Sequence, residues 1–126
     1  KTDPSLVPVF NADSAYSHVQ KQLAFGPRVP NTPAHKACGK FLFNYFKSHG
    51  GWVYVQDFTA KSWDGKELEL KNIIASYNPK ATKRICFAAH WDTRPYADMD
   101  SKDQKKPIPG ANDGASGVAV LMEMAR

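Results

Sequence analysis

An α/β fold built on an open sheet is predicted for these 126 residues, and three observations predict it. A short apolar run, Ile85-Cys86-Phe87-Ala88-Ala89, leads straight into His90 and reads as a buried strand ending in an imidazole. A Gly-rich turn, Gly110-Ala111-Asn112-Asp113-Gly114, then precedes a second apolar segment, Val118 to Ala125, with helical spacing. Upstream, Ala34, Ala37, Cys38, Phe41, Leu42, Tyr45 and Phe46 recur at i, i+3, i+4 and define an amphipathic helix. A His at the end of one strand can thus meet an Asp at the start of the next helix. Ligands of open α/β sheets bind in that crevice, beyond the strand ends.

Taken in order, residues 1–10 read as an extended arm. Asn11 and Asp13 are N-cap candidates for a helix reaching about Phe25, with Ala15, Val19, Leu23 and Ala24 on one face. Gly26-Pro27 ends it, and Arg28 to Asn31 is a loop. Thr32-Pro33 supplies a cap followed by Pro at the first helical position, and Gly50-Gly51 stops this second helix. Trp52 to Thr59 is aromatic and β-branched, which favours a strand. Asp64-Gly65 is a turn signal, and Glu67 to Tyr77 forms the next strand, closed by Asn78-Pro79. Within it Leu68 and Leu70 alternate with charges, which gives one wet face, while Asn72-Ile73-Ile74-Ala75 runs deeper. Lys80 to Lys83 is a solvated turn. The long loop from Trp91 to Ala111 has the length of functional loops. No internal repeat is visible.

The whole chain, 1–126, reads as one domain, long enough for a real core and too short for two. It stops at Arg126 inside an expected helix, without a C-cap residue, so the domain is expected to be incomplete and to be the front of a longer protein. An apolar fraction of 42% and ordinary charge density exclude a disordered chain. No apolar run approaches the roughly 20 residues of a membrane span. The net charge of +5 is carried by scattered lysines with no aromatic interleaving, so nucleic acid is not an expected partner. Cys38 and Cys86 both sit among apolar residues and read as buried free thiols, with a disulfide between them left open. Neither has the spacing of a structural zinc site.

His90-x-Asp92 at a strand end reads first as a His satisfied by a neighbouring carboxylate. It becomes a metal candidate because a second carboxylate, Asp113, sits on the Gly-flanked turn: zinc takes imidazole and carboxylate ligands, and a further carboxylate orients the imidazole. Asp113 or Ser116 also reads as the N-cap of the last helix, which is compatible with ligation. His18, His35 and His49 read as surface or half-buried helical residues, and Glu123 as a solvated or paired carboxylate. Gly114-Ala115-Ser116-Gly117 lacks the spacing of a nucleophile elbow. Trp91 and Tyr96 are candidates to line a substrate pocket or to pack on the sheet edge.

Three ordered motifs then make the chain recognisable. They are Asn72-Ile73-Ile74-Ala75-Ser76-Tyr77-Asn78-Pro79, Ala88-Ala89-His90-Trp91-Asp92-Thr93-Arg94 and Pro109-Gly110-Ala111-Asn112-Asp113-Gly114-Ala115-Ser116-Gly117. With Phe25-Gly26-Pro27-Arg28, they resemble the zinc exopeptidase superfamily of aminopeptidases and animal-type glutaminyl-peptide cyclotransferases, nearest the bacterial cyclotransferases. The resemblance implies a three-layer αβα fold with a mixed, mostly parallel central sheet. It implies Asp113 as a zinc ligand, His90 as a ligand of a second metal in the aminopeptidases but not normally a ligand in the single-zinc cyclotransferases, and Asp92 as the catalytic-site carboxylate behind the ligands; Trp91 stays the substrate-contact candidate read from the residues. It further implies one Zn2+ for a cyclase and two for an aminopeptidase.

The implied substrate is a peptide or protein N-terminus. In the cyclase, the α-amine of an N-terminal Gln attacks its own γ-carboxamide, with zinc polarising the carbonyl and a Glu shuttling the proton. An aminopeptidase would instead hydrolyse the N-terminal peptide bond with a metal-activated water. A non-catalytic binding domain on the same scaffold is the third reading. The family's acid–base Glu, further metal-binding Glu and late His have no counterpart before Arg126, so the 126-residue chain alone is expected to be inactive. A location outside the cytoplasm, whether periplasmic, secreted or lipid-anchored, is also implied.

Overall fold

The computed structural model describes residues 3–126; Lys1 and Thr2 of the expected arm lie outside the described residues. The arm is not wholly extended, since Pro4–Leu6 forms one 3-10 turn, and its apolar residues Leu6, Val7, Val9 and Phe10 are exposed. Helix α1 spans Ala12–Leu23, and Asn11 caps it by accepting the Ser14 N–H at 2.9 Å. The cap was legible because Asn supplies a side-chain acceptor for a helix-start amide that has no partner inside the helix. The buried face differs from the expected one: Ala15, His18 and Gln22 are buried, whereas Ala24 is exposed. Two polar residues take the inner face because carbonyls and a tyrosine hydroxyl await them there.

Helix α2, Pro33–Ser48, begins where Thr32 Oγ1 accepts the His35 N–H at 3.2 Å. Strands β1 (Trp52–Lys61) and β2 (Glu67–Ser76) then form an antiparallel hairpin in register from Trp52 opposite Ser76 to Lys61 opposite Glu67. Gly65, at φ 80°, makes the turn that Asp64-Gly65 announced. α2 packs on the hairpin, where Val53, Val55, Ile73 and Ala75 are half-buried. The opposite face shows Trp52, Tyr54, Phe58 and Ile74 to solvent. Helix α3, Gly117–Ala125, closes the chain and packs against α1. The core joins Cys38 and Leu42 of α2, Val118 and Met122 of α3, and Trp91, with Phe25, Phe41, Tyr45, Phe46, Ile73 and Ala89 around them.

One expected element is corrected. Ile85 to Ala89 is not a strand: Ile85 is 82% exposed, Phe87 59% exposed, and Cys86, expected buried, is exposed as well. A strand exists only through hydrogen bonds to a neighbour, and β1 and β2 form the single sheet among the described residues. Apolar composition alone therefore leaves this run unpaired, and the mostly parallel sheet is not formed among these residues. Cys38, by contrast, is fully buried, and burial pushes its thiol up to about 11, so it behaves as a small core side chain. Both cysteines are free, with no bridge between them.

Candidate functional site

His90 stands at the end of the unpaired run, and Asp113 stands in a π-type turn, Ala111–Ser116, that leads into α3. This turn is not regular helix: Asp113 lies at φ −81°, ψ 93° and Gly114 at φ 101°, ψ −58°. A Cβ at Gly114 would fall 3.1 Å from His90 Cε1, His90 O and Asp92 O. Only glycine combines that left-handed φ with so close an approach, so Gly114 is what lets the Asp113 turn sit against the His90–Asp92 segment. The alternative reading of Asp113 or Ser116 as a side-chain helix cap is not realised; Ser116 Oγ instead donates to Asn112 O at 2.7 Å.

The Asp113 carboxylate is thereby directed at the imidazole, with Oδ1 3.0 Å from His90 Nε2. On the other edge of the ring, Nδ1 lies 3.2 Å from the Asp92 carbonyl oxygen and 3.4 Å from Asp92 Oδ1. Three of the four singled-out residues, His90, Asp92 and Asp113, are thus brought together, all about half-exposed. His90 and Asp113 line an open crevice with Ala89, Asn112, Gly114, Ser116 and Gly117. Both ring nitrogens face oxygen acceptors. A neutral imidazole donates from only one of them. With Nδ1 against the Asp92 carbonyl, Nε2 and the Asp113 carboxylate could hold a cation between them.

This donor set suits zinc, which accepts imidazole nitrogen and carboxylate oxygen, with Asp92 fixing the ring from behind. It covers only part of a tetrahedral site, for among the described residues no group of three or more His, Cys, Asp and Glu converges on one point. Trp91 is not brought to the crevice, contrary to the expectation of a substrate contact. Its ring is 9% exposed, stacks on His35 at 4.1 Å and joins the core. Alternation along an extended chain explains this: neighbours of an outward His90 point inward. Tyr96 lines a separate depression with Asp98, Gln104 and Lys105.

Several residues that matter here were missed or misjudged from sequence. His18 and His35 are buried, not superficial, and burial holds both below the ordinary imidazole range. Gln22, fully buried, donates its amide to His18 O at 3.1 Å and to Ala115 O at 3.0 Å, tying α1 to the Asp113 turn. Glu123 is paired, as one of its two readings had it. Hydrogen bonds from Arg126, and then from the Asn11 N–H, lower its carboxyl to about 2. Arg28 is fully buried between the two site segments. In the sequence it stood directly after the helix-ending Gly26-Pro27, where a surface loop is the ordinary reading, and its place in the Phe25-Gly26-Pro27-Arg28 motif was the signal that it matters.

The model of Peptidase family M28 matches residues 72–126, the stretch that holds all three site residues. The chain is similar to the solved glutaminyl cyclase of Tannerella forsythia, at 48% identity and a TM-score of 0.93, over 94% of this chain and 42% of that one. It is equally similar to a leucine aminopeptidase precursor from Bacteroides thetaiotaomicron, at 52% identity and 0.92, over 95% and 42%. A Zn-dependent exopeptidase from Parabacteroides distasonis matches at 52% and 0.91, over 94% and 41%. The chain spans about two-fifths of these solved chains, and about a quarter of the curated relatives it matches. The resemblance drawn from the three motifs is borne out, and with it the α/β zinc-exopeptidase fold class. Zinc is the metal that these likenesses imply.

Proposed function

From a scaffold of the zinc exopeptidase superfamily, we propose that this protein is a zinc-dependent glutaminyl-peptide cyclotransferase acting on peptide or protein N-termini. The likeness to a glutaminyl cyclase supports this reading, and the observation that carries it is the 3.0 Å separation of His90 Nε2 and Asp113 Oδ1. Asp92, His90 and Asp113 then form a chain of close charge contacts, with His90 Nδ1 also on the Asp92 carbonyl, which leaves the second oxygen of Asp113 free to hold a single ion.

Within that chain each residue has its task. Asp92 keeps the proton on His90 Nδ1 and fixes the plane of the ring. His90 holds Asp113 Oδ1 and so fixes the rotation of the carboxylate. The bound metal would supply Lewis-acid polarisation of the substrate's γ-carboxamide oxygen. The remaining donors and the acid–base group come, in this reading, from outside the 126 residues. In this reading a peptide terminus enters the open crevice beside His90 and Asp113. A location outside the cytoplasm goes with the same reading; among the described residues no helix is long and apolar enough to cross a membrane.

A second reading is a two-zinc aminopeptidase, favoured by the equal likeness to the leucine aminopeptidase precursor. There His90 Nε2 and Asp113 would share a cation. Metal content and substrate separate the two in the full-length protein. One zinc per chain and ammonia released from Gln-initiated peptides are expected. Two zincs with release of leucine from Leu-amides, and no ammonia, would replace the cyclase by the peptidase.

A further inference from the structure

We propose that Arg28 is a positioning residue, a buried guanidinium that holds the His90–Asp92 segment and the Asp113 turn at their working separation. Its Nε donates to Trp91 O at 3.0 Å, between the two site residues of the first segment. Its Nη1 donates to Pro109 O at 3.0 Å and to Gly26 O at 3.3 Å, and its Nη2 to Gly110 O at 2.8 Å, at the root of the second. The backbone adds to this, with the Thr93 N–H donating to Arg28 O at 3.1 Å. The side chain is 0% exposed, and burial lowers its hold on the proton, yet among the described residues no carboxylate forms an ion pair with it.

A buried cation that donates only to carbonyls, with the Asp92 charge near but not paired to it, is a costly arrangement, and the reason for it lies in geometry. Three chain segments, at positions 26, 91 and 109–110, must be bridged at one point. Only the planar, multi-donor fork of arginine reaches all three at fixed angles; an ammonium offers three donors from a single atom. Gly110 carries the same message independently. At φ 65°, a Cβ there would collide with Thr93 Cγ2 and stand 2.9 Å from Arg28 Nη2. The Gly110 carbonyl also accepts the Ala115 N–H at 3.3 Å, which closes the turn around Asp113. Arg28 thus acts on the metal-binding carboxylate through the backbone, without touching the crevice.

The positioning role rests on the proposed site, but its first readout needs no metal. In the metal-free full-length protein, the 15N resonance of His90 Nε2 reports the contact with Asp113. Arg28→Met and Arg28→Lys are expected to move that resonance to its position in Asp113→Asn while the chain stays folded by circular dichroism. Zinc affinity, read by competition with a chromogenic chelator, should fall about 10–100-fold, the range for partners that orient a ligand. A folded Arg28→Met protein with the wild-type His90 resonance overturns the proposal, because a merely structural arginine would lower the melting temperature alone. If Arg28→Met does not fold, the wild type decides. Coupling is reciprocal, so zinc should slow solvent exchange of the Arg28 Nε–H about tenfold or more, and an unchanged rate overturns the role. Failure of the cyclase reading shows separately, as a wild-type protein that releases no ammonia.

Discussion

Two stretches of this chain, both apolar and both bordering His90, have opposite fates. The turn and helix from Gly110 to Ala125 are drawn into the core by Val118 and Met122 and tied down by Arg28 and Gln22. The run from Ile85 to Phe87 is the more strand-like of the two in composition, yet lies open to solvent. Burial in the first case follows from partners that are present: α1, α2 and the carbonyls that meet the guanidinium. In the second, no neighbouring strand offers hydrogen bonds among the described residues. Hydrophobicity says that a segment favours burial, whereas the available partners decide whether it is buried.

The largest test of that contrast removes volume from each side. Leu42→Ala, at a site 2% exposed, should lower the unfolding free energy by about 2–5 kcal/mol in chemical denaturation. In the 126-residue chain, Phe87→Ala, at 59% exposure, should change it by no more than about 0.5 kcal/mol despite the larger side chain removed. Comparable losses at both positions would abolish the distinction drawn between the two stretches.

A smaller effect sharpens it at the site. Gly114→Ala is expected to cost about 1–3 kcal/mol, since alanine is strained at a left-handed φ and its methyl meets the His90–Asp92 backbone. Because the strain is relieved by moving the turn, zinc affinity should fall as well. A folded Gly114→Ala protein with unaltered zinc binding would mean that the close approach is dispensable.

The mildest test is acidification. His18 and His35 are held below 6.5 chiefly by burial; Lys21 lowers His18 further and Glu123 opposes it, while Asp92 opposes the shift of His35 and Lys71 and Lys36 add to it. The unfolded chain therefore takes up these protons first, and stability drops as pH falls below about 6.5. The lowered carboxyl of Glu123 has the same sign in a separate window: its contribution is present above 4.5 and disappears as pH falls towards about 2. Melting temperatures from pH 8 to 2 should show both declines. His35→Phe should flatten the upper one and Glu123→Gln the lower, and a profile unchanged by either substitution contradicts these assignments.

What the amino-acid sequence determined by itself is local or short-range. Asn11 and Thr32 cap their helices, the stripe from Ala34 to Phe46 makes α2, Asp64-Gly65 turns the hairpin, and three ordered motifs point to the family. Each rests on interactions within a few positions, so spacing suffices to reveal it. The tertiary structure alone decided that Trp91 turns inward onto His35, that Ile85 to Phe87 stays unpaired, and that Arg28 and Gln22 are interior. A polar side chain is buried when backbone carbonyls from distant segments, such as Trp91, Gly110 and Ala115, converge on its donors. No periodicity in one segment records where another segment's carbonyls will stand.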